Sequence, residues 1–323
     1  MKKKLYFAAF AALALVSCNE KMVEPTVNED LVEFEVSVPD AVTKLTGAPA
    51  GEVSISNLQV FVFEKTTGEL EAYGSQNANN IRLTCLPGLK DIVALVNAPS
   101  LSGIADLAEL QTKTSFLSDN VKGRLVMSGI VERNLSATDN AVTVEVTRLP
   151  AKVTLMSVTN AMDLEVNRKK EFVITKVYLT NVSGECKYFS DMTPELWYHK
   201  QGYESTNTQN FLYDEPGVTI AHGKVYSTSH YFYCYPNPTA KDANGGEWGA
   251  RKTRLVVEAT LGGETCYYPI TLDKIAKNSS YAITLTVTRP GSSSPDVPVS
   301  TSEATFSVSI KEWASGGTIN ERI

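Results

Sequence analysis

Apolar and polar side chains alternate along most of this chain, with the two-residue period of strands that bury one face. The segment "LVEFEVSVPD" (31–40) is a plain case. Val32, Phe34, Val36 and Val38 fall on one side and Glu33, Glu35 and Ser37 on the other, and Pro39 ends the run. Further strands are predicted over "VSISNLQVFVFE" (53–64), "IRLTCLPG" (81–88), "DIVALVNAP" (91–99) and "NAVTVEVTRL" (140–149). The pattern restarts at "AKVTLMSVTNAM" (151–162) and "EFVITKVYLTNVSG" (171–184). It lapses over 186–225, rich in Tyr, Asn, Thr and Gly, and resumes over 229–238, 253–272 and 279–291. "GGET" (262–265) predicts a hairpin turn. Helical spacing is confined to "SGIADLAELQTKTSF" (102–116). The expectation is an all-β chain with a minor helix, most economically two β-sandwich domains meeting near Arg148.

The final predicted strand has a counterpart near the start. Phe306, Val308 and Ile310 alternate with Ser307, Ser309 and Lys311, behind a Pro/Ser/Gly-rich linker, "RPGSSSPDVPVSTSE" (289–303). Phe34-x-Val36-x-Val38 has the same apolar register, and register is set by which side chains face the core. The two segments therefore suit the same groove. Between the first strand and the body lies "AVTKLTGAPAGE" (41–52), and Lys44 is the only Lys or Arg from Met22 through Glu64. A trypsin-like protease would find one target there, in an exposed Gly/Pro-rich loop. Cutting after Lys44 would leave an open sheet edge and an apolar slot worth on the order of 5–10 kcal/mol to its occupant. The tail of another copy, adding backbone pairing, would fill it. Such a head-to-tail contact does not close and builds a filament. The plainer readings are a terminal strand paired within its own domain and a solvated loop lysine.

Composition narrows the function. The formal net charge is −6 over 323 residues, which lacks the basic face of a nucleic-acid binder. Three histidines, His199, His222 and His230, and no H-E-x-x-H, G-x-S-x-G or P-loop pattern predict neither enzyme, metal site nor cofactor. Lys2, Lys3 and Lys4 precede twelve apolar residues (5–16), too short to span a bilayer but suited to a secretory signal. Leu15 and Ser17 before Cys18 resemble the bacterial lipobox, so Cys18 is the expected lipidation site and the precursor an outer-membrane lipoprotein. Loss of residues 1–17 leaves 27 basic against 36 acidic side chains, a net of −9. Cys85, Cys186, Cys234 and Cys266 show no C-x-x-C spacing and are expected as buried free thiols.

These segments carry a family resemblance. "NSSYAITLTVTRPGSSSPDVPVSTSEATFSVSIKEW" (278–313) resembles the C-terminal signature of the fimbrillin, or type V pilin, family of Bacteroidales-type bacteria. The lipobox, "VSISNLQVFVFE" and "TRLPAKVTLMSV" are similar to that family too. The resemblance implies two transthyretin-like β-sandwich domains, removal of the first strand by a trypsin-like surface protease, and strand exchange between subunits. Carried over, it implies a signal peptide (1–17), a lipidated propeptide (18–44), an N-terminal domain (45–147) and a C-terminal domain (148–323). The last contains linker 290–303 and donor-like strand 304–314. Cleavage would fall between Lys44 and Leu45, although well-known members are cut after Arg. Val32, Phe34, Val36 and Val38 would be displaced, and Phe306, Val308, Ile310 and Trp313 would donate. The function expected is a structural pilin of a surface fimbria, serving adhesion or biofilm formation, with other copies and related pilins as partners. The alternatives are an anchor or accessory subunit, or a surface glycan-binding lipoprotein using Trp197, Tyr198 and Tyr203.

Overall fold

The structure, a computed structural model, describes residues 31–39, 52, 54–138, 141–204, 209–243, 247–297, 304–312 and 319–321. The first strands are β1 (Val32–Ser37), β2 (Leu58–Glu64), β3 (Leu70–Gln76), β4 (Asn80–Cys85) and β5 (Gly88–Val96). Helix α1 (Leu107–Thr112), β6 (Thr114–Phe116), β7 (Met127–Leu135), β8 (Ala141–Thr143) and β9 (Thr147–Arg148) follow. The chain then forms β10 (Ala151–Asn160) and β11 (Phe172–Thr180). Six short strands come next: β12 (Val182–Ser183), β13 (Glu185–Lys187), β14 (Trp197–Tyr198), β15 (Tyr213–Asp214), β16 (Val218–Thr219) and β17 (Val225–Tyr226). The last are β18 (His230–Cys234), β19 (Arg254–Leu261), β20 (Glu264–Thr271), β21 (Ser279–Val287), β22 (Ala304–Glu312) and β23 (Ile319–Glu321). The all-β expectation is met.

Strands β3-β2-β5-β7-β9 form one sheet and β4-β1-β8 a smaller one. β2, "LQVFVFE", is apolar on both faces, the mark of a strand buried on both sides. Leu58, Val60 and Val62 meet Phe34, Val36 and Val38 in one core, while Phe61 and Phe63 join the other. β5 divides likewise, Ile92 and Ala94 facing one way and Val93 and Leu95 the other. The sheet is thus a middle layer with apolar packing on each face.

Beyond Leu149 and Pro150 the chain enters a six-stranded sheet, β17-β10-β21-β22-β23 with β18 beside β10, and a five-stranded one, β15-β11-β19-β20 with β16 beside β11. Val153, Leu155, Ile283 and Leu285 of the first share a core with Ile174, Val177, Val257 and Ala259 of the second. Sheet-on-sheet packing of alternating strands is the physical consequence of the two-residue period. Leu261 pairs with Glu264 across Gly262 and Gly263, whose φ values of +61° and +87° are the left-handed pair a two-residue type I′ hairpin requires. The expected turn at "GGET" is there.

Helix formation is narrower than its sequence pattern. Asp106 caps α1 by accepting a hydrogen bond from Glu109 N at 2.7 Å, but the helix stops at Thr112. Thr114–Phe116 pair instead with β13, seventy residues away, so tertiary pairing overrides local spacing.

Candidate functional site

β1 lies in the middle of its sheet. It runs antiparallel to β4, from Val32 opposite Cys85 to Ser37 opposite Asn80, and parallel to β8, from Glu35 opposite Ala141 to Ser37 opposite Thr143. Val32, Phe34, Val36 and Val38 are 5%, 1%, 0% and 0% exposed. Their burial contributes about 6–12 kcal/mol. Glu33 and Glu35 point outward toward Arg82, whose Nε stands 3.3 Å from Glu35, and Asn80 donates to Glu35 at 3.0 Å. The single open edge expected on removing this strand is corrected by the topology. β1 has neighbours on both sides, so its loss would expose the backbones of β4 and β8 together.

Lys44, Leu45, Cys18 and Trp313 lie outside the described residues. On the body side of the Lys44 loop, Glu52 is 2% exposed. Its carboxylate accepts from Lys152 Nζ at 2.6 Å and from the Tyr233 hydroxyl at 2.9 Å, while its carbonyl accepts from Arg148 Nε at 3.2 Å. Burial, with the Glu52 charge second, raises the Tyr233 phenol far above its ordinary range. Burial likewise lowers Arg148, against the pull of Glu52. Nothing in the local sequence marks Glu52 as more than a loop acid, because its partners lie about 100 and 180 residues away.

β22 pairs within its own chain, antiparallel to β21. Phe306 stands opposite Leu285, Val308 opposite Ile283 and Ile310 opposite Tyr281, with β23 on the outer side. Phe306, Val308 and Ile310 of β22 are only half-buried, unlike the apolar side chains of β1. Val308 and Ile310 form one wall of an open pocket of about 500 Å³ that also involves Leu272, Ala276 and Tyr281. Backbone pairing therefore holds β22 while its side chains are incompletely packed. Residues 289–297, expected as the first part of a free linker, are bonded to the body.

The aromatic residues of the glycan reading are placed differently from one another. Trp197 is 4% exposed, packs against Trp248 with ring centroids 5.3 Å apart, and donates its indole N–H to Pro194 O at 3.0 Å. Tyr198 is half-buried, edge-on to Phe211. Tyr203 is 48% exposed. Of the three, one presents a largely exposed ring. His199, within the 186–225 stretch where the strand pattern lapses, is fully buried with φ +50°. Its Nδ1 donates to Leu179 O at 2.8 Å and its Nε2 accepts from Gln209 N at 3.2 Å, so the ring is held on both sides. Cys85, Cys186, Cys234 and Cys266 are buried free thiols, as expected. Burial pushes Cys85 up to about 11 and Cys186 and Cys234 to about 12.

Comparison with known proteins gives this arrangement a context. Residues 32–171, which begin at β1, match a family model described as major fimbrial subunit protein (FimA). Major fimbrium subunit FimA type-3 of Porphyromonas gingivalis is 21% identical over 93% of this chain and 94% of its own length. A fimbrilin structure from P. gingivalis superposes with a TM-score of 0.60 at 17% identity, covering 88% of this chain and 97% of that one. A structure from Bacteroides eggerthii, described as a candidate cell adhesion protein, gives 0.65 at 19% identity over 87% and 96%. At those identities the structures establish a shared fold, while the family model and the curated relative connect the sequence itself. Residues 32–171 thus match the major fimbrial subunit protein (FimA) model, and the chain resembles that family over nearly its whole length.

Proposed function

We propose that this chain is a structural subunit of a cell-surface fimbria, polymerised when its first strand is removed and the C-terminal strand β22 of another copy takes the vacancy. The family-model match and the likeness to a curated fimbrial subunit support the fimbrial role, the surface location and association with other fimbrial subunits. The exchange step is supported by one observation above the rest: four buried apolar residues, Val32, Phe34 and Val36 of β1 and Val38 just after it, belong to a strand that sits between two others and is joined along the chain to the body through the Lys44 loop. In this reading Cys18 carries the lipid that holds the precursor in the outer membrane. A trypsin-like protease cuts between Lys44 and Leu45, and Val32, Phe34, Val36 and Val38 leave with the propeptide. Phe306, Val308, Ile310 and Trp313 of a neighbour then enter. The protein needs no catalytic group and no cofactor for this, since the free energy comes from burial and strand pairing.

N-terminal sequencing of protein sheared from the cell surface tests the proposal. A start at Leu45 supports it. A blocked Cys18 on the polymerised protein overturns it and favours an anchor that keeps its first strand.

A further inference from the structure

We infer that residues 289–297 are a clasp that fixes where the C-terminal strand departs from the body, holding the chain to the body as far as Val297. The strand-exchange reading supplies what the clasp positions; the clasp itself is a feature of the single chain.

Three sets of contacts build it. Ser292 and Tyr267 exchange both backbone hydrogen bonds at 2.9 Å, adding a one-residue rung to the free edge of β20. Immediately before this rung, Tyr268, 0% exposed, donates its hydroxyl to Arg289 O at 2.9 Å, and Arg289 Nε is 3.0 Å from Asp163. After it, Ser292 Oγ donates to Ser294 O, Val297 N donates to Ser294 O, and the turn delivers Asp296 to two arginines. Arg251 Nη1 lies 3.4 Å from Asp296, and Arg254 Nη1 lies 3.7 Å from the same carboxylate. Arg254 is 5% exposed, is paired also with Asp242, and keeps its Nε without a hydrogen-bond acceptor among the described residues. A buried guanidinium short of acceptors loses more by parting with Asp296 than a solvated one would.

Gly291 shows how closely the clasp is seated. A Cβ at that position would lie 2.3 Å from Tyr267 O and 2.9 Å from Tyr267 C, which no side chain tolerates without lifting the segment off β20. In the sequence, glycine beside proline and three serines reads as flexibility. In the structure, it is what allows close contact.

The consequence is a limit on reach. From Val297 to Phe306 is nine residues, about 30 Å when fully extended. If the tail peeled from Arg289 it would span seventeen residues, about 56 Å. A closed clasp thus confines the donor strand to a neighbour docked close to the end of the sheet, and Asp296 and Gly291 are positioning residues for assembly.

Hydrogen exchange by mass spectrometry on the full chain tests the clasp without any polymer. A peptide covering 289–297 is expected to exchange at least about tenfold more slowly than an unstructured peptide. Gly291→Val should abolish that protection while a peptide from β21 keeps its own. Exchange at the unstructured rate in the unmodified chain overturns the inference. A second arm uses Tyr267→Cys with Ser292→Cys, since a doubly bonded antiparallel pair has Cα atoms about 5.5 Å apart, within disulfide range. Clipped protein with this lock closed should polymerise as well as the same protein reduced. Polymerisation only after reduction overturns the inference, because the clasp would then have to open. Failure of both forms, with 289–297 still protected, rejects strand exchange and leaves the clasp standing.

Discussion

Glu52 and Lys152 form an ion pair at 2.6 Å, with Glu52 only 2% exposed, and it fastens the chain on the body side of the Lys44 loop. Removing one partner of a buried pair leaves the other charge uncompensated, at a cost of about 3–5 kcal/mol. Glu52→Gln keeps the size but removes the buried negative charge that faces Lys152 and weakens the Tyr233 bond. It is expected to lower unfolding free energy by about 3 kcal/mol in urea titration. A loss below about 0.5 kcal/mol, the level of an exposed pair, would contradict the assignment.

Phe34 and Phe306 occupy matching places in their strands but differ in burial. Phe34 is 1% exposed in the first core, whereas Phe306 is half-buried. Phe34→Ala in the uncut chain should cost about 3–5 kcal/mol and Phe306→Ala about half of that, by the same titration. Equal losses would mean that the last strand is packed as firmly as the first.

His199 makes stability depend on pH. Its imidazole is buried and lowered from its ordinary value chiefly by loss of water, against the raising effect of the Leu179 carbonyl. The unfolded chain therefore binds the proton more readily than the folded one. The stability linked to neutral His199 is complete above about pH 6.5 and is lost as pH falls below it. Thermal melts from pH 7.5 to 5 should drop more steeply for the native chain than for His199→Gln. Parallel slopes would show that this ring does not carry the effect.

Thiol labelling offers an independent check on the cores. With Cys85 near 11 and Cys186 and Cys234 near 12, at most about a thousandth of each is thiolate at pH 8, and Cys266 is buried as well. A disulfide reagent should leave all four silent in folded protein for minutes and titrate all four in denaturant. Rapid reaction of any one in the folded state would contradict its placement.

Elements whose apolar spacing is self-contained were legible from the chain. β1 announces itself in Phe34-x-Val36-x-Val38, and "GGET" announces its hairpin because glycine takes both left-handed positions without strain. β3 and β7 escaped notice since "LEAYGSQ" and "MSGIVERNL" mix polar residues and glycine into half-exposed positions. The contacts that give the site its form are of another kind. Lys152 with Glu52, Ser292 with Tyr267, and Gln209 with His199 join residues from different strands or turns, and no periodicity encodes such a partner. Glycine and serine at 291–294 misled for the same reason: their composition fits a tether, but the nearby β20 edge makes them a rung.

The central claim is that the last strand of one copy completes another. A chain ended at Thr301, clipped after Lys44 beside the intact chain treated identically, tests it most directly on an unheated denaturing gel. The account predicts a ladder of resistant multimers from the intact chain and monomer alone from the shortened one. A full ladder from the shortened chain would contradict it.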